Sequence, residues 1–554
     1  MTMLNNIFLI AAIALCIISL YKNYLAAHNE KIPQPAEKAL PDKIYNIILA
    51  AVILTALFIR VFRFGSVPGG FNQDGAMASV DAKALADYGT DRYGTRLPVH
   101  LTAWGYGQMS ALLSYLMVPF IKIGGFNAIS LRMPMLVTTL GALVCLYLFI
   151  RDVFDKKTAL VITAFAAINP WNIIQSRWAL DCNLYPQFFM MGIYFLHKGL
   201  KKRLHLIISM VMFGLCMYCY GVSIYTLPVF LLAAFIYLMI KKELSVINAV
   251  IAFVVYMLIA WPFILTMAIN FFRIDTIELP FCTIPFFPDS VRSNDILFFS
   301  GDVLKHLSEN VKSLLNVTFL QKKDLPWNDI ANFGTMYLFS MPFVITGIIA
   351  LIKEHRKSTG AVLALIFLLT GIWCGLTTNG VNVNRINIIY YPIIIMAGIG
   401  ICYVIKWISL ADWGIAAAYL AVFIIFSTTY FTSYADSMEY YFFKNFGDAV
   451  TSLKDSDSDK IYITADSQYR GATAVSEILT LFYHEIDAEY YQGKTKNNDI
   501  PFKDKYTFKS IKDIDIIPGE NASYVITSDD LIYFEKDSYT FENFGSYYTV
   551  TPKK

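Results

Sequence analysis

Charge is scarce in this sequence. Only 16% of its 554 residues are charged, against roughly 25% in an ordinary soluble protein. Hydrophobic residues make up 56%, and the mean hydropathy is +0.51. The shortage is uneven: long apolar runs fill residues 3–430, while the last stretch of about 120 residues has a soluble composition. The net charge of +3 is near neutral for this size, and no Lys/Arg run is long enough to suggest nucleic acid as a partner. The partner that composition demands is membrane lipid. Ionisable residues are also missing from the interiors of the apolar runs, His205, Arg60 and Arg63 lying near their ends. Charges inside a membrane mark ion and proton paths, so their absence weighs against an ion-coupled transporter or pump. None of the 8 cysteines lies in the tail, which must therefore fold without disulfides. Cys216 and Cys219 form a CxxC inside an apolar run with no second ligand pair, which reads as packing rather than zinc or redox chemistry. No cofactor is expected, and a divalent metal is not indicated.

What is present is a series of apolar spans at 3–20, 43–63, 132–150, 157–173, 184–198, 204–220, 225–240, 246–268, 336–352, 359–378, 387–405 and 412–430. The pattern predicts an α-helical polytopic membrane protein with about twelve transmembrane helices. Basic clusters fall in alternate loops: Lys22 to Lys43 (with Lys31 and Lys38), Arg151 to Lys157, Lys198 to Arg203, Lys241 and Lys242, Lys353 to Lys357, and Lys406. Those loops are expected to be cytoplasmic. Residues 106–123 look like one more span, but a crossing there would flip every later loop. Parity instead predicts an interfacial helix within a long external loop, 64–131, with a second external loop at 269–335. The expected organisation is an extra N-terminal helix and cytoplasmic loop (1–42), a membrane domain (43–430), and an extracytoplasmic α/β or α+β domain (431–554). That last assignment follows from alternating strand-like runs such as KIYITAD and helix-like runs such as AVSEILTLFYHEI.

Polar residues gather at the external ends of the spans. Residues 67–100 deliver the chain to Asp74, followed by an amphipathic pattern; Asp74 reads either as the N-cap of that helix or as a functional carboxylate. Asp81, Asp87 and Asp91 read as a solvated face or turn. The segment NPWNIIQSRWALDCNLYP carries Arg177, Asp181 and Asn183, and NGVNVNRINIIYYP carries Arg385. Locally, Arg177 and Asp181 read as an (i, i+4) pair and Arg385 as a snorkelling arginine. Their shared face is what raises them: two carboxylates and two guanidinium groups at an apolar boundary suit an anionic lipid headgroup and acid/base work.

At these residues the sequence resembles the GT-C superfamily of polyprenyl-phosphate-dependent glycosyltransferases, in the branch of protein O-mannosyltransferases and lipid A aminoarabinose transferases. The resemblance covers about residues 43–405. It rests on IRVFRFGSVPGG, the Asp74 motif, GGFNAISLRMP, "SRW.LD.N.YP" and the arginine before the eleventh span. It implies an inverting transferase at the external face, using a polyprenyl-phosphate-linked sugar and a glycan, lipid or protein acceptor. Asp74 would be the general base, Asp181 a second catalytic carboxylate, and Arg177, Asn183 and Arg385 the donor contacts. The family carries Asp-Glu where this chain has Asp74-Gly75, which removes any metal or acceptor contact that the glutamate would make. No Gly-rich phosphate loop is present, in keeping with a lipid-linked donor. The competing readings are a lipid-carrier or polysaccharide transporter, and a noncatalytic assembly protein.

Overall fold

The computed structural model describes residues 1–28, 41–105, 107–288, 303–408, 410–466, 471–494 and 499–553. Through the apolar part the helices are α1 (Thr2–His28), α2 (Asp42–Val61), α3 (Gln73–Tyr88), α4 (Leu112–Gly124), α5 (Ala128–Val153), α6 (Lys156–Ile168), α7 (Pro170–Gln175), α8 (Leu184–Gly199) and α9 (Arg203–Cys216). They continue as α10 (Ser223–Ile240), α11 (Val246–Phe272), α12 (Val303–Leu314), α13 (Met341–Glu354), α14 (Thr359–Thr377), α15 (Val383–Ile386), α16 (Tyr390–Trp407) and α17 (Ala411–Thr429). Each expected apolar span is helical. Among the described residues, 8 helical stretches are long and apolar enough to cross a membrane. The helices α6, α8, α9 and α13 are shorter, at 13, 16, 14 and 14 residues. Such helices rise about 20–24 Å, less than the ~30 Å hydrocarbon core. The expected span 157–173 is divided because Asn169 caps a new helix with Pro170 in its first turn. The stretch assigned to the interface holds α4, which at 13 residues is also too short to cross. Lys31, Lys38 and residues 289–302, part of the second loop expected to be external, lie outside the described residues.

The chain divides into two compact units. The first takes Met1–Phe64, Met135–Trp261 and Arg292–Thr432. Its tightest helix pair is α13 with α16, where a Cβ on Gly347 would strike the Met396 carbonyl and one on Gly400 would strike that of Phe343. Small residues let two backbones touch in this way, as membrane helix pairs require. The extra helix α1 packs alongside, with Phe8 edge-on to Phe339 at 5.6 Å.

The second unit takes Gly65–Pro134, Pro262–Val291 and Ser433–Lys554. The tail therefore shares a unit with much of the first expected external loop, a grouping that linear boundaries at 431 and 43 do not express. Two short antiparallel pairs belong here: β1 (His100–Thr102) with β2 (Gln108–Ser110), and β3 (Ile277–Leu279) with β4 (Cys282–Ile284). The tail helices include α18 (Ala435–Tyr441), α19 (Lys444–Ser452) and α20 (Thr473–Tyr483). Its five-stranded mixed sheet comprises β5 (Lys460–Thr464), β6 (Tyr506–Lys509), β7 (Ala522–Thr527), β8 (Tyr539–Phe544) and β9 (Tyr547–Pro552), in the order β6-β5-β7-β9-β8. The interior strand β5 runs parallel to both neighbours, while β9 is antiparallel to both of its own. Ala522, Tyr524 and Ile526 of β7 enter one core with Tyr462, Phe534 and Val550. The alternate residues Ser523 and Val525 are buried too, as expected of a central strand covered on both faces. Phe482 of α20 meets Phe71 at 4.6 Å and Phe126 at 5.5 Å, which joins the tail to the loop.

Candidate active-site residues

In the first unit the segment between α6 and α8 is almost entirely buried. Asn169 accepts from the Asn172 N–H and starts α7, and a short 3₁₀ turn over Asp181–Asn183 leads into α8. Asp181 is 5% exposed, and its Oδ1 accepts from the Cys182 N–H at 2.7 Å. Asn183 is joined to the Arg385 segment through a residue that sequence reasoning missed. Asn387 donates from Nδ2 to Asn183 Oδ1 at 3.0 Å and accepts from Trp171 Nε1 at 2.8 Å. Trp171 in turn stacks on Tyr390 with ring centroids 4.9 Å apart. The two motifs, some 200 residues apart in sequence, thus form one polar network. Nδ2 of Asn183 has no hydrogen-bond partner among the described residues.

The two arginines differ. Arg177 is fully buried, and it donates to the carbonyls of Ile59 at 2.9 Å, Arg60 at 2.7 Å and Phe62 at 2.8 Å. These are the end carbonyls of α2, which lack helical partners. The guanidinium also lies 5.0 Å from the Phe431 ring centre. With these bonds it clamps the C-terminal end of α2. Arg60, read as a span-end charge, is buried as well: it bonds the Ala56 and Ala167 carbonyls at 3.0 Å and Asn172 Oδ1. Arg385 is half-buried on α15, the first turn of the helical stretch Val383–Trp407. Its Nη1 lies 3.4 Å from the Gly380 carbonyl, while its backbone N–H donates to the capping side chain of Asn382 at 3.2 Å.

In the second unit Asn72, not Asp74, caps α3, accepting from the Gly75 N–H at 2.8 Å. Asp74 sits in the first turn, where the helix dipole favours an anion, and stays partly exposed. Trp104 donates from Nε1 to its Oδ1 at 2.6 Å. Asp81 departs from the expected solvated face. It is fully buried against Arg92, at 2.6 Å from Nη1 and 3.0 Å from the backbone N–H. Burial pushes its carboxyl up to about 7 against the pull of that guanidinium. Most of α3 is enclosed in this unit, which is why a polar pattern misread as solvated lies inside. Asp91 does form a turn, accepting from the N–H groups of Tyr93 and Thr95 at 3.0 and 2.8 Å, and Asp87 pairs with Lys83 on the surface. Arg132 of GGFNAISLRMP bonds the carbonyls of Pro68 at 2.8 Å and Gly70 at 3.0 Å, holding the turn that precedes Asp74. Gly70 has φ +74, and a Cβ there would strike the Phe442 carbonyl. No group of three or more His, Cys, Asp or Glu side chains suited to a metal occurs among the described residues.

Comparison with known proteins agrees with this architecture. A family profile described as dolichyl-phosphate-mannose-protein mannosyltransferase matches residues 110–269. The structure of ArnT from Cupriavidus metallidurans in the apo state superposes with a TM-score of 0.53 at 11% identity, covering 92% of this chain and 98% of that one. The same protein bound to undecaprenyl phosphate gives a TM-score of 0.52 at 11% identity, covering 92% and 97%. No curated protein sequence matches the chain. At such identity the likeness is one of fold: the chain has the fold of ArnT.

Proposed function

We propose that this membrane protein is an inverting glycosyltransferase that moves a sugar from a polyprenyl-phosphate carrier to an acceptor hydroxyl at the external membrane face. The observation that carries the reading is the state of Asp74. Its carboxylate is released from helix capping by Asn72, is partly exposed, and is oriented by Trp104. The partial match to a mannosyltransferase profile and the ArnT-like fold, seen there with undecaprenyl phosphate, support it. In the proposed reaction Asp74 accepts the proton of the acceptor hydroxyl as its oxygen bonds to the anomeric carbon. The anomeric carbon–phosphate oxygen bond breaks, and the carrier leaves as the lipid phosphate. Arg385 grips that phosphate and offsets the charge developing on it. Asp181 and Asn183 contact the donor from the turn tied to Asn387, and Arg177 serves by fixing the end of α2.

Asp74→Asn tests this directly, because it keeps the shape and removes the basicity. Transfer from a panel of polyprenyl-phosphate sugars should fall by ~10²–10⁴-fold, with the melting temperature nearly unchanged. Near-normal transfer by the variant would eliminate Asp74 as the base.

A further inference from the structure

The turn that carries Arg385 is held at its start by a carboxylate from a distant loop. Asp324 Oδ2 accepts from the Val383 backbone N–H at 3.0 Å and from Asn328 Nδ2 at 2.8 Å. Val383 opens α15, and the first N–H groups of any helix lack partners within it. Here Asn382 takes the N–H of Arg385 and Asp324 takes that of Val383. The loop supplying Asp324 is itself tightly fixed. Asn328 is fully buried, Asp329 Oδ2 accepts from the Asp324 N–H at 3.3 Å, and Gln321 Oε1 accepts from the N–H groups of Thr335 and Met336 at 2.8 and 2.9 Å. On its other side the turn is tied by Cys374 Sγ to the Arg385 carbonyl at 3.2 Å, and by Asn387 to Asn183. The turn leads through residues 387–389 directly into α16, so it is the first turn of one helical stretch, Val383–Trp407, and at that open end the direction of Arg385 is set by these outside anchors. Among them Asp324 is the one acidic side chain, and burial pushes its carboxyl up from the usual range.

We infer that Asp324 is a positioning residue for the donor phosphate: it fixes the α15 turn through the Val383 N–H and so aims the Arg385 guanidinium. The inference rests on the reading of Arg385 as the phosphate ligand. Asp324 itself touches no reacting atom in this scheme. What it sets is the geometry on which a two-pronged grip of guanidinium on phosphate depends.

The test is equilibrium binding of undecaprenyl phosphate to the full-length protein in nanodiscs, with undecaprenol as the uncharged control. Asp324→Ala should weaken undecaprenyl phosphate binding roughly tenfold, the weight of one charge-assisted hydrogen bond, and leave undecaprenol unaffected. Asp324→Asn keeps an acceptor oxygen and should restore most of the affinity. Val383→Pro supplies a second route that leaves the carboxylate intact. It removes the N–H and exchanges the buried valine side chain for an apolar ring, at a first-turn position that proline favours, after a residue already extended at φ −149, ψ 165. It should reproduce the Asp324→Ala loss even if that variant fails to fold. In an Arg385→Ala background Asp324→Ala should have no further effect, because both act through one group. Wild-type affinity in folded Asp324→Ala or Val383→Pro, or additive losses in the double variant, would overturn the inference. Arg385→Ala binding undecaprenyl phosphate like wild type would instead remove the phosphate-ligand reading beneath it, a failure visible without any Asp324 variant.

Discussion

Arg177 and Arg385 carry the same guanidinium, but the backbone around each gives it a different task. Arg177 donates to three carbonyls at the end of α2 inside the protein, so Arg177→Ala leaves buried acceptors unmatched at about 1–3 kcal/mol each. A large drop in melting temperature or folded yield in detergent is expected, and lysine should not rescue it, since one ammonium cannot reproduce the planar fork. Arg385→Ala should leave folding intact. In the tail, His484 is buried, its Nε2 facing the Val450 carbonyl at 2.7 Å and its Nδ1 facing the Tyr506 hydroxyl at 3.0 Å. Burial lowers its pKa from 6.5 to about 4. Because the folded value is depressed, its contribution is complete above pH ~6.5 and is lost as the pH falls toward 4. Between pH 6.5 and 5 the second unit should lose about 2 kcal/mol, read as faster amide exchange in α19 and α20. His484→Gln, which can still donate and accept, should flatten that dependence.

At the scale of elements, the α13–α16 contact shows what a glycine pair does in lipid. Each glycine faces a carbonyl oxygen of the opposite helix, so Gly347→Leu cannot be relieved by a rotamer change. It should separate the two helices and cost more than ~3 kcal/mol, by the scale of severe overpacking. Reduced folded yield on size-exclusion chromatography checks this; a normal monodisperse peak would disprove the close contact. Which spans are helical was legible from hydropathy alone, because a lipid-exposed chain must satisfy its backbone internally. Where helices break was less so. Asn169-Pro170 is a readable stop, but the assignment of the cap to Asn72 instead of Asp74 was decided by which side chain lies three residues before an available N–H.

For the molecule as a whole, the alternating basic loops predict orientation. Single cysteines in a Cys-free background should place residue 115 outside and residues 155, 202 and 355 inside; external labelling at 202 would invert the arrangement and with it the face assigned to the chemistry. Composition by itself determined a series of membrane-length apolar runs and a polar tail, since apolar length and turn chemistry are local properties; the order of motifs added the resemblance to the GT-C superfamily. The pairings needed the tertiary structure. The tail and residues 65–134 fall in one unit, Asp81 is buried against Arg92, Asn183 meets Asn387, and Asp324 reaches Val383. Nothing near Asp324 in sequence announces its partner 59 residues away. A local pattern records what each residue prefers. Which buried donor meets which acceptor is fixed only when distant segments are packed together and every buried polar group must find a match.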